Sequence, residues 1–246
     1  SLDFNLTIAQ ERCLNEINTD ISSPQPMLRL LQGDVGSGKT IVAVIACLQA
    51  IENGFQSAIM APTEILASQH LDSFSNYLKP LGINIAFLIG SQSHKEKEEE
   101  QQKIEQGLAQ IVIGTHALFQ EGVNFDKLGL VVIDEQHKFG VHQRLLLARK
   151  AHNTPHQLVM TATPIPRSLT MTAYADLDCS TIDELPPGRI ATKTIAISNQ
   201  RKEEIIDKIK QVCIDRSQVY WVCTLIDESE ALRAESANNT LEYLQT

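Results

Sequence analysis

Residues 33–40 read GDVGSGKT and match the pattern Gly-x-x-x-x-Gly-Lys-Thr, which can bind the phosphates of a nucleotide. An apolar run that predicts a strand precedes this segment, and a longer apolar run that predicts a helix follows it. In such a loop, backbone N–H groups surround the phosphates and the helix N-terminus adds a favourable dipole. We expect Lys39 to reach the outer phosphates and the Thr40 hydroxyl to ligate Mg²⁺. The other residues expected to line the phosphates are Gly33, Gly36, Ser37 and Gly38.

A pair of acids ends a second apolar run, which reads LVVI at residues 130–133. Ligands of open α/β sheets bind at the carboxyl ends of the strands, where this pair would lie. There Asp134 could hold Mg²⁺ through water, and Glu135 could orient or deprotonate an attacking water. With Lys39, these two acids are the predicted catalytic residues of an NTP-hydrolysing site that uses Mg²⁺.

The elements around these motifs alternate between short apolar runs and longer amphipathic runs. This alternation is typical of βαβ units, and it predicts an α/β fold with a parallel sheet and helices on both faces. Strands are predicted over residues 27–31, 57–61, 84–89, 110–114, 128–134 and 158–161. Helices are predicted over residues 39–53, 64–79, 95–106, 141–151 and 166–175.

Residues 183–189 read DELPPGR, and two prolines with a glycine interrupt both helix and strand. We therefore predict a first domain over residues 1–183, a linker over 184–191 and the start of a second domain over 192–246. In that second part we predict strands over residues 192–197 and 218–223, and helices over 200–214 and 228–244. So short a sheet cannot bury both of its faces, so we expect the second α/β domain to be incomplete. The absence of an initiator Met suggests a piece of a longer protein.

The composition of the chain limits the kinds of protein that it can be. The chain has 246 residues, of which 43% are hydrophobic and 21% charged, as is typical of a soluble globular protein. No apolar run is long enough to cross a membrane, and the N-terminus lacks the features of a signal peptide. Five cysteines without a Cys-x-x-Cys pair indicate a reducing compartment, which we expect to be the cytoplasm. The net charge of −9 argues against a broad basic surface for nucleic acid, although it permits a local one.

Four short segments resemble motifs of the superfamily 2 helicases. Residues 134–137 (DEQH) resemble motif II, and residues 161–164 (TATP) resemble motif III. Residues 61–64 (APTE) and 114–116 (GTH) resemble motifs Ia and Ib. The resemblance implies a RecA-like P-loop fold and a nucleotide contact from His137. It also implies coupling between the ATP and nucleic-acid sites through Thr161 and Thr163.

The same resemblance implies contacts to the phosphate backbone of one nucleic-acid strand from motifs Ia and Ib. The residues concerned are Thr63, Thr115 and His116. Their side chains can donate to a phosphate without reading a base. Taken alone, each of them equally fits a helix cap or a polar residue satisfied within its own loop.

Residues 4–10 (FNLTIAQ) resemble the Q motif of these helicases, in which a glutamine amide pairs with adenine. The implied reader is Gln10, because an amide can donate and accept at once, and this favours ATP over GTP. Without the resemblance, a helix capped by Thr7 with Gln10 on its surface explains the same residues.

Longer segments resemble the RecG family of bacterial DNA helicases. They are residues 134–144 (DEQHKFGVHQR), 161–167 (TATPIPR), 172–178 (TAYADLD), 183–189 (DELPPGR) and 220–223 (YWVC). Lys138 stands where that family usually has Arg, and it keeps the positive charge without the planar fork that a bidentate contact needs. The transcription-repair coupling factor shares TATPIPR but usually has DEEH and lacks DELPPGR, which makes it the first alternative. A non-motor ATP-binding switch is the second, although it would not need motifs Ia, Ib and III.

The RecG resemblance implies an ATP-dependent DNA helicase that acts as a monomer on branched DNA in repair and recombination. The chain would hold the first motor lobe and the opening of the second. It contains neither a wedge domain nor the arginine-finger motif that the family carries. We therefore expect this piece alone to hydrolyse ATP slowly and not to unwind DNA, which would need the longer protein.

Overall fold

The computed structural model describes residues 4–120, 122–134, 154–163, 177–184, 192–223 and 237–245. The helices predicted over residues 141–151 and 166–175 lie outside these ranges, as does most of the predicted linker. Contacts between Cα atoms divide the chain into two compact units, Ser1–Arg189 and Ile190–Thr246. The predicted domain bounds stay a prediction.

The described part of the first unit contains a seven-stranded sheet and the helices that flank it. The strands are β1 (Leu28–Gly33), β2 (Gln56–Met60), β3 (Ile85–Leu88), β4 (Ile111–Gly114), β5 (Leu128–Asp134), β6 (His156–Thr161) and β7 (Asp178–Ile182). The helices are α1 (Ile8–Ile21), α2 (Lys39–Glu52), α3 (Glu64–Leu78) and α4 (His94–Glu105).

The strand order is β3-β4-β2-β5-β6-β1-β7, and each of the paired strands runs parallel to its neighbour. The predicted α/β fold with a parallel sheet is therefore confirmed. All six strands predicted for this unit are present, with ends that differ by a few residues. The seventh strand, β7, was not predicted, because only Ser180 and Ile182 of its five residues are buried.

Neighbouring residues of each central strand point to opposite faces of the sheet, and each face carries its own apolar core. On β5, Leu130 and Val132 pack into one core and Val131 and Ile133 into the other. Helices α1, α2 and α3 cover the first face. On the second face, Ile104 of α4 packs with the segment after β4, at residues 117–125. Helices on both faces explain why these strands read as continuous apolar runs.

Side-chain caps set where two of the helices begin. Ser93 accepts from the backbone N–H of Glu96 at the start of α4, and Glu96 accepts in return from the N–H of Ser93. Thr7 and Gln10 form the same reciprocal pair at the start of α1. Such capping boxes satisfy two backbone donors that a helix end leaves free.

The described part of the second unit contains helices and irregular segments. A 3₁₀ turn at Asn199–Arg201 leads into α5 (Lys202–Ile214), which confirms the helix predicted over residues 200–214, and α6 (Ala237–Gln245) follows. The predicted strands over residues 192–197 and 218–223 are wrong, since both segments lack strand pairing in the structure. Their β-branched runs have no neighbouring strand among the described residues to accept their backbone hydrogen bonds, and a strand is stable only in a sheet. No helix in the described ranges is long and apolar enough to cross a bilayer.

Candidate functional site

Three adjacent strands carry the predicted nucleotide motifs to one edge of the sheet. Strand β6 lies between β1 and β5, with Gln32 opposite Thr161 and Met160 opposite Asp134. Because the strands are parallel, their carboxyl ends meet at the same edge. The phosphate loop after β1, Thr161 of motif III and Asp134 of motif II are thus brought together where open α/β sheets bind ligands.

The loop between β1 and α2 has a backbone that requires glycine at Gly38. This residue has φ +88°, in the left-handed region, and a Cβ added to it would lie 2.2 Å from the Nε2 of Gln10. The carbonyl oxygen of Gly38 then accepts from the backbone N–H groups of Ile41 and Val42, which starts α2. The sequence pattern and the geometry agree that a side chain at Gly38 would disturb the loop.

Lys39 lies over the loop that it follows. Its Nζ donates to the carbonyl oxygens of Gly33 at 2.7 Å and Asp34 at 3.0 Å. Ser37 is fully buried, and its Oγ has no hydrogen-bond partner among the described residues. Thr40, in the first turn of α2, is partly exposed. The loop therefore holds a cation and a helix N-terminus together, which suits phosphate binding.

Gln10 packs against the phosphate loop and is 3% exposed. Its Nε2 donates to the carbonyl oxygen of Ser37 at 2.9 Å, and its Oε1 accepts from the N–H of Thr7 at 2.9 Å. These bonds use one of the two amide hydrogens and one of the two lone pairs of the carbonyl oxygen. Without the resemblance to the Q motif, we would expect Gln10 on the surface of α1. The side chain is instead buried beside the loop, which excludes that position.

Asp183, just before the predicted linker, and Glu184, its first residue, are bound to α1. Glu184 accepts from the N–H of Ala9 at 3.1 Å, and the guanidinium of Arg12 pairs with Asp183 at 2.8 Å. The hydrogen bond from Arg12 lowers the pKa of the Asp183 carboxyl below its usual range. The sequence places Glu184 in the predicted linker and does not reveal that it caps α1. This hydrogen bond joins two residues that lie 175 positions apart in the chain.

Asp134 has a buried partner that the sequence interpretation also missed. The Nε2 of His70, on α3, lies 2.7 Å from the Oδ2 of Asp134, and the two side chains are 10% and 14% exposed. A signal was present, since His70 falls among the residues Ala67, Phe74 and Leu78 that form the buried face of α3. The other motif II residues named above, Glu135 and His137, lie outside the described ranges.

Motifs Ia and Ib meet at the same edge of the sheet, because β2 pairs with β4 and the N–H of Ala61 donates to the carbonyl oxygen of Gly114. Thr63 is exposed and its hydroxyl caps α3 by accepting from the N–H of Leu66 at 3.3 Å. His116 is also exposed. Thr115 is 2% exposed, so its hydroxyl does not reach the surface, although it has no hydrogen-bond partner among the described residues.

The threonines of motif III bond to each other. The hydroxyls of Thr161 and Thr163 lie 2.8 Å apart, and the N–H of Thr163 donates to the hydroxyl of Thr161 at 3.1 Å. Thr161 is buried and Thr163 is exposed. This small network lies beyond β6, between the loop and Asp134, and it extends from the sheet interior to the surface.

The donor set suits a magnesium ion bound together with a nucleotide. Thr40 and Asp134 offer hard oxygen ligands, and Mg²⁺ prefers one or two such groups with phosphate oxygens and waters. Among the described residues, no group of three acidic, histidine or cysteine side chains could form a metal site without a nucleotide. Thr40 and Asp134 could therefore hold Mg²⁺ together with phosphate oxygens and waters.

Comparison with known proteins identifies a matching family and close relatives. The family model described as DEAD/DEAH box helicase matches residues 7–172. A protein named ATP-dependent DNA helicase RecG from Haemophilus influenzae is 54% identical over 99% of this chain and 36% of its own length. The protein of the same name from Escherichia coli K12 is 55% identical over 100% of this chain and 36% of its own length. The resemblance to RecG is thus confirmed.

Solved structures agree with this match. A structure described as RecG bound to a three-way DNA junction aligns with a TM-score of 0.84 and 42% identity, over 99% of this chain and 32% of that one. The helicase MrfA aligns with a TM-score of 0.68 at 19% identity, which shows the shared fold alone. The chain spans about a third of the length of the curated relatives that it matches.

Proposed function

Because the chain belongs to the DEAD/DEAH box helicase family, we propose that it is the first motor lobe of an ATP-dependent DNA helicase of the RecG type. The single observation that carries this proposal is the shared edge of β1, β6 and β5. That edge brings the phosphate loop, motif III and Asp134 next to one another. Identity of 54–55% to proteins named RecG supports this type over the transcription-repair coupling factor.

We assign the binding of ATP to the loop and the residues that flank it. Backbone N–H groups at Gly33, Gly36, Ser37 and Gly38 would surround the phosphates. Lys39 would exchange its bonds to the Gly33 and Asp34 carbonyls for phosphate oxygens, which keeps its ammonium group satisfied in both states. Gln10 would face the base with the amide hydrogen that its protein bonds leave free.

Hydrolysis is assigned to the acids at the end of β5. A magnesium ion, when bound, would neutralise charge on the phosphates. Thr40 and Asp134 would hold it, and Glu135 would orient the attacking water and take its proton. His137 would contact the nucleotide, and Thr161 with Thr163 would relay changes at the phosphates to the nucleic-acid side.

DNA is the proposed partner, bound through its phosphate backbone at the edge where motifs Ia and Ib meet. Thr63 and His116 are exposed there and can donate. Thr115 would contribute only after its hydroxyl becomes accessible. By analogy with the relative solved on a three-way junction, the whole protein would act on branched DNA. We further propose that it acts as a monomer, as the sequence resemblance implies. The free cysteines of the described residues fit a reducing compartment such as the cytoplasm.

A hydrolysis assay tests the proposal. We expect the full-length protein that carries this chain to hydrolyse Mg·ATP faster when a synthetic three-way junction is added, and the chain alone to be nearly silent. A Lys39→Ala variant should lose nucleotide binding, whereas Glu135→Gln should bind nucleotide and stop turnover. A full-length protein whose rate ignores every DNA added would instead support an ATP-binding switch. Unchanged turnover in Glu135→Gln would overturn the assignment of that residue as the base.

A further inference from the structure

We propose that His70 is a positioning residue that holds the Asp134 carboxylate in the orientation needed to meet a magnesium ion. The inference rests on the proposed function, because it takes Asp134 as the acid that holds the ion. It adds a residue that lies outside every helicase motif named above. His70 itself would touch neither the ion nor the nucleotide.

The contact has the geometry of a hydrogen bond with a defined direction. The Nε2 of His70 lies 2.7 Å from the Oδ2 of Asp134. An ionised carboxylate only accepts, so the imidazole nitrogen must carry the hydrogen. The bond uses one carboxylate oxygen, and the second oxygen, Oδ1, is the one with which Asp134 can meet an ion or its bound water. A carboxylate fixed at one oxygen presents the other in a fixed direction.

Burial makes this contact matter energetically. The side chains of His70 and Asp134 are 10% and 14% exposed, so water contributes little to either. A buried carboxylate that loses its donor carries an uncompensated desolvation penalty and turns toward whatever donor remains. The donor on His70 therefore fixes the rotamer of Asp134 before any ion arrives.

The imidazole is itself held in place by α3. His70 lies on the buried face of the helix, and its ring meets that of Phe74 edge to face, with centroids 6.3 Å apart at 79°. The same helix begins at the exposed cap Thr63, at a distance of roughly 10 Å along its axis from His70. One rigid helix thus connects the surface proposed for DNA with the residue that holds Asp134.

The test compares three substitutions in the full-length protein. His70→Leu removes the donor and keeps an apolar side chain. His70→Gln restores an N–H at a similar reach from the backbone. Phe74→Leu is the matched control for packing, because it alters the same buried face of α3 and keeps the imidazole donor on His70. For each, the Mg²⁺ concentration that gives half of the gain in affinity for a fluorescent N-methylanthraniloyl ADP is measured, with affinity in EDTA as the metal-free reference.

We expect His70→Leu to raise the half-maximal Mg²⁺ concentration by about ten-fold or more, as removal of outer-shell partners of metal ligands does elsewhere. Affinity in EDTA should stay unchanged, His70→Gln should recover most of the loss, and Phe74→Leu should behave like the parent. A purely structural His70 would instead give His70→Leu and Phe74→Leu the same Mg²⁺ dependence, and that result overturns the proposal.

Two further variants keep the outcome decisive. If His70→Leu fails to fold, His70→Asn replaces it, since its amide is too short to reach Asp134. Equal Mg²⁺ dependence in the Asn and Gln variants would then overturn the proposal.

Asp134→Asn tests the proposed metal site separately from the role of His70. If Asp134→Asn leaves the Mg²⁺ dependence intact, the proposed metal site fails and this inference fails with it. If Asp134→Asn removes the dependence while His70→Leu does not alter it, only the role of His70 fails.

Discussion

The side-chain amide of Gln10 donates to the carbonyl oxygen of Ser37 at 2.9 Å, so the first helix of the chain holds the phosphate loop directly. The same amide caps α1 by accepting from the N–H of Thr7. Glu184 also caps the start of α1, because its carboxylate accepts from the backbone N–H of Ala9. The start of α1 is therefore a junction between the loop and the segment that leads out of the first unit.

The bond between Gln10 and Ser37 predicts that Gln10→Glu weakens the binding of GDP as well as that of ADP. Glutamate keeps the acceptor that caps α1 but loses the donor to the loop. One net hydrogen bond is worth about 1 kcal/mol, so we expect a loss of roughly five-fold for GDP and a larger loss for ADP, whose base Gln10 is proposed to face. Equilibrium titration with the two diphosphates in Mg²⁺ measures it. A loss confined to ADP would show that Gln10 acts by reading adenine and not by holding the loop.

We predict a larger loss of nucleotide binding when Gly38, in the same loop, is substituted. In Gly38→Ala the new Cβ would lie 2.2 Å from the Nε2 of Gln10, at a residue with φ +88°. We expect nucleotide binding to fall by more than ten-fold, because the loop must shift to relieve the clash. Gly54→Ala is the control, since Gly54 has φ +78° and nothing within 4 Å of an added Cβ.

That control isolates the cost of the left-handed backbone. Gly54→Ala should lower the free energy of unfolding by about 1–2 kcal/mol and leave nucleotide binding unchanged. Adding Gln10→Ala to Gly38→Ala should restore part of the binding, because the clash is with the end of that side chain. If the double variant binds no better than Gly38→Ala alone, the strain lies in the loop backbone and not against Gln10.

The sequence revealed the central sheet because strands buried on both faces are continuous apolar runs, as in β5. It revealed the phosphate loop because that chemistry is local. Strand β7 escaped prediction since only Ser180 and Ile182 are buried in it. The pairing of His70 with Asp134 could not be read from the sequence, because it joins residues 64 positions apart and depends on how α3 lies on the sheet. The two wrong strands of the second unit show that β-branched runs need partner strands as well as propensity.

His156 predicts how stability depends on pH. Burial lowers the pKa of His156, although Asp20 raises it in part, and the Nδ1 of His156 accepts from the N–H of Met27 at 3.0 Å. Between the folded and unfolded pKa values the unfolded chain binds more protons, so stability rises with pH. The contribution of His156 is therefore complete above about pH 6.5, the usual pKa of histidine, and is lost as pH falls through the folded pKa.

Thermal unfolding between pH 7.5 and 5.5 measures this dependence. His156→Asn is the matched variant, because its Oδ1 can accept from Met27 and does not titrate. The melting temperature of the parent should fall more steeply with acid than that of His156→Asn. Parallel curves for the two proteins would mean that other groups set the acid sensitivity.

The cysteines predict a pattern of thiol reactivity that reports on the core. Burial raises the pKa of Cys13 to about 11 and that of Cys47 to about 12, whereas Cys179 and Cys213 are exposed. The thiolate is the reactive form, so at pH 8 the two buried thiols should resist a disulfide reagent while the exposed ones react.

Mass spectrometry of the labelled peptides assigns each site, and a Cys179→Ser/Cys213→Ser variant removes the fast background. In that variant, Cys13 and Cys47 should become labelled only as denaturant unfolds the first unit, and at the same denaturant concentration. The two thiols lie on α1 and α2, which share one apolar core. Labelling of Cys13 well before Cys47 would mean that α1 detaches by itself, and Gln10 would then leave the phosphate loop without global unfolding.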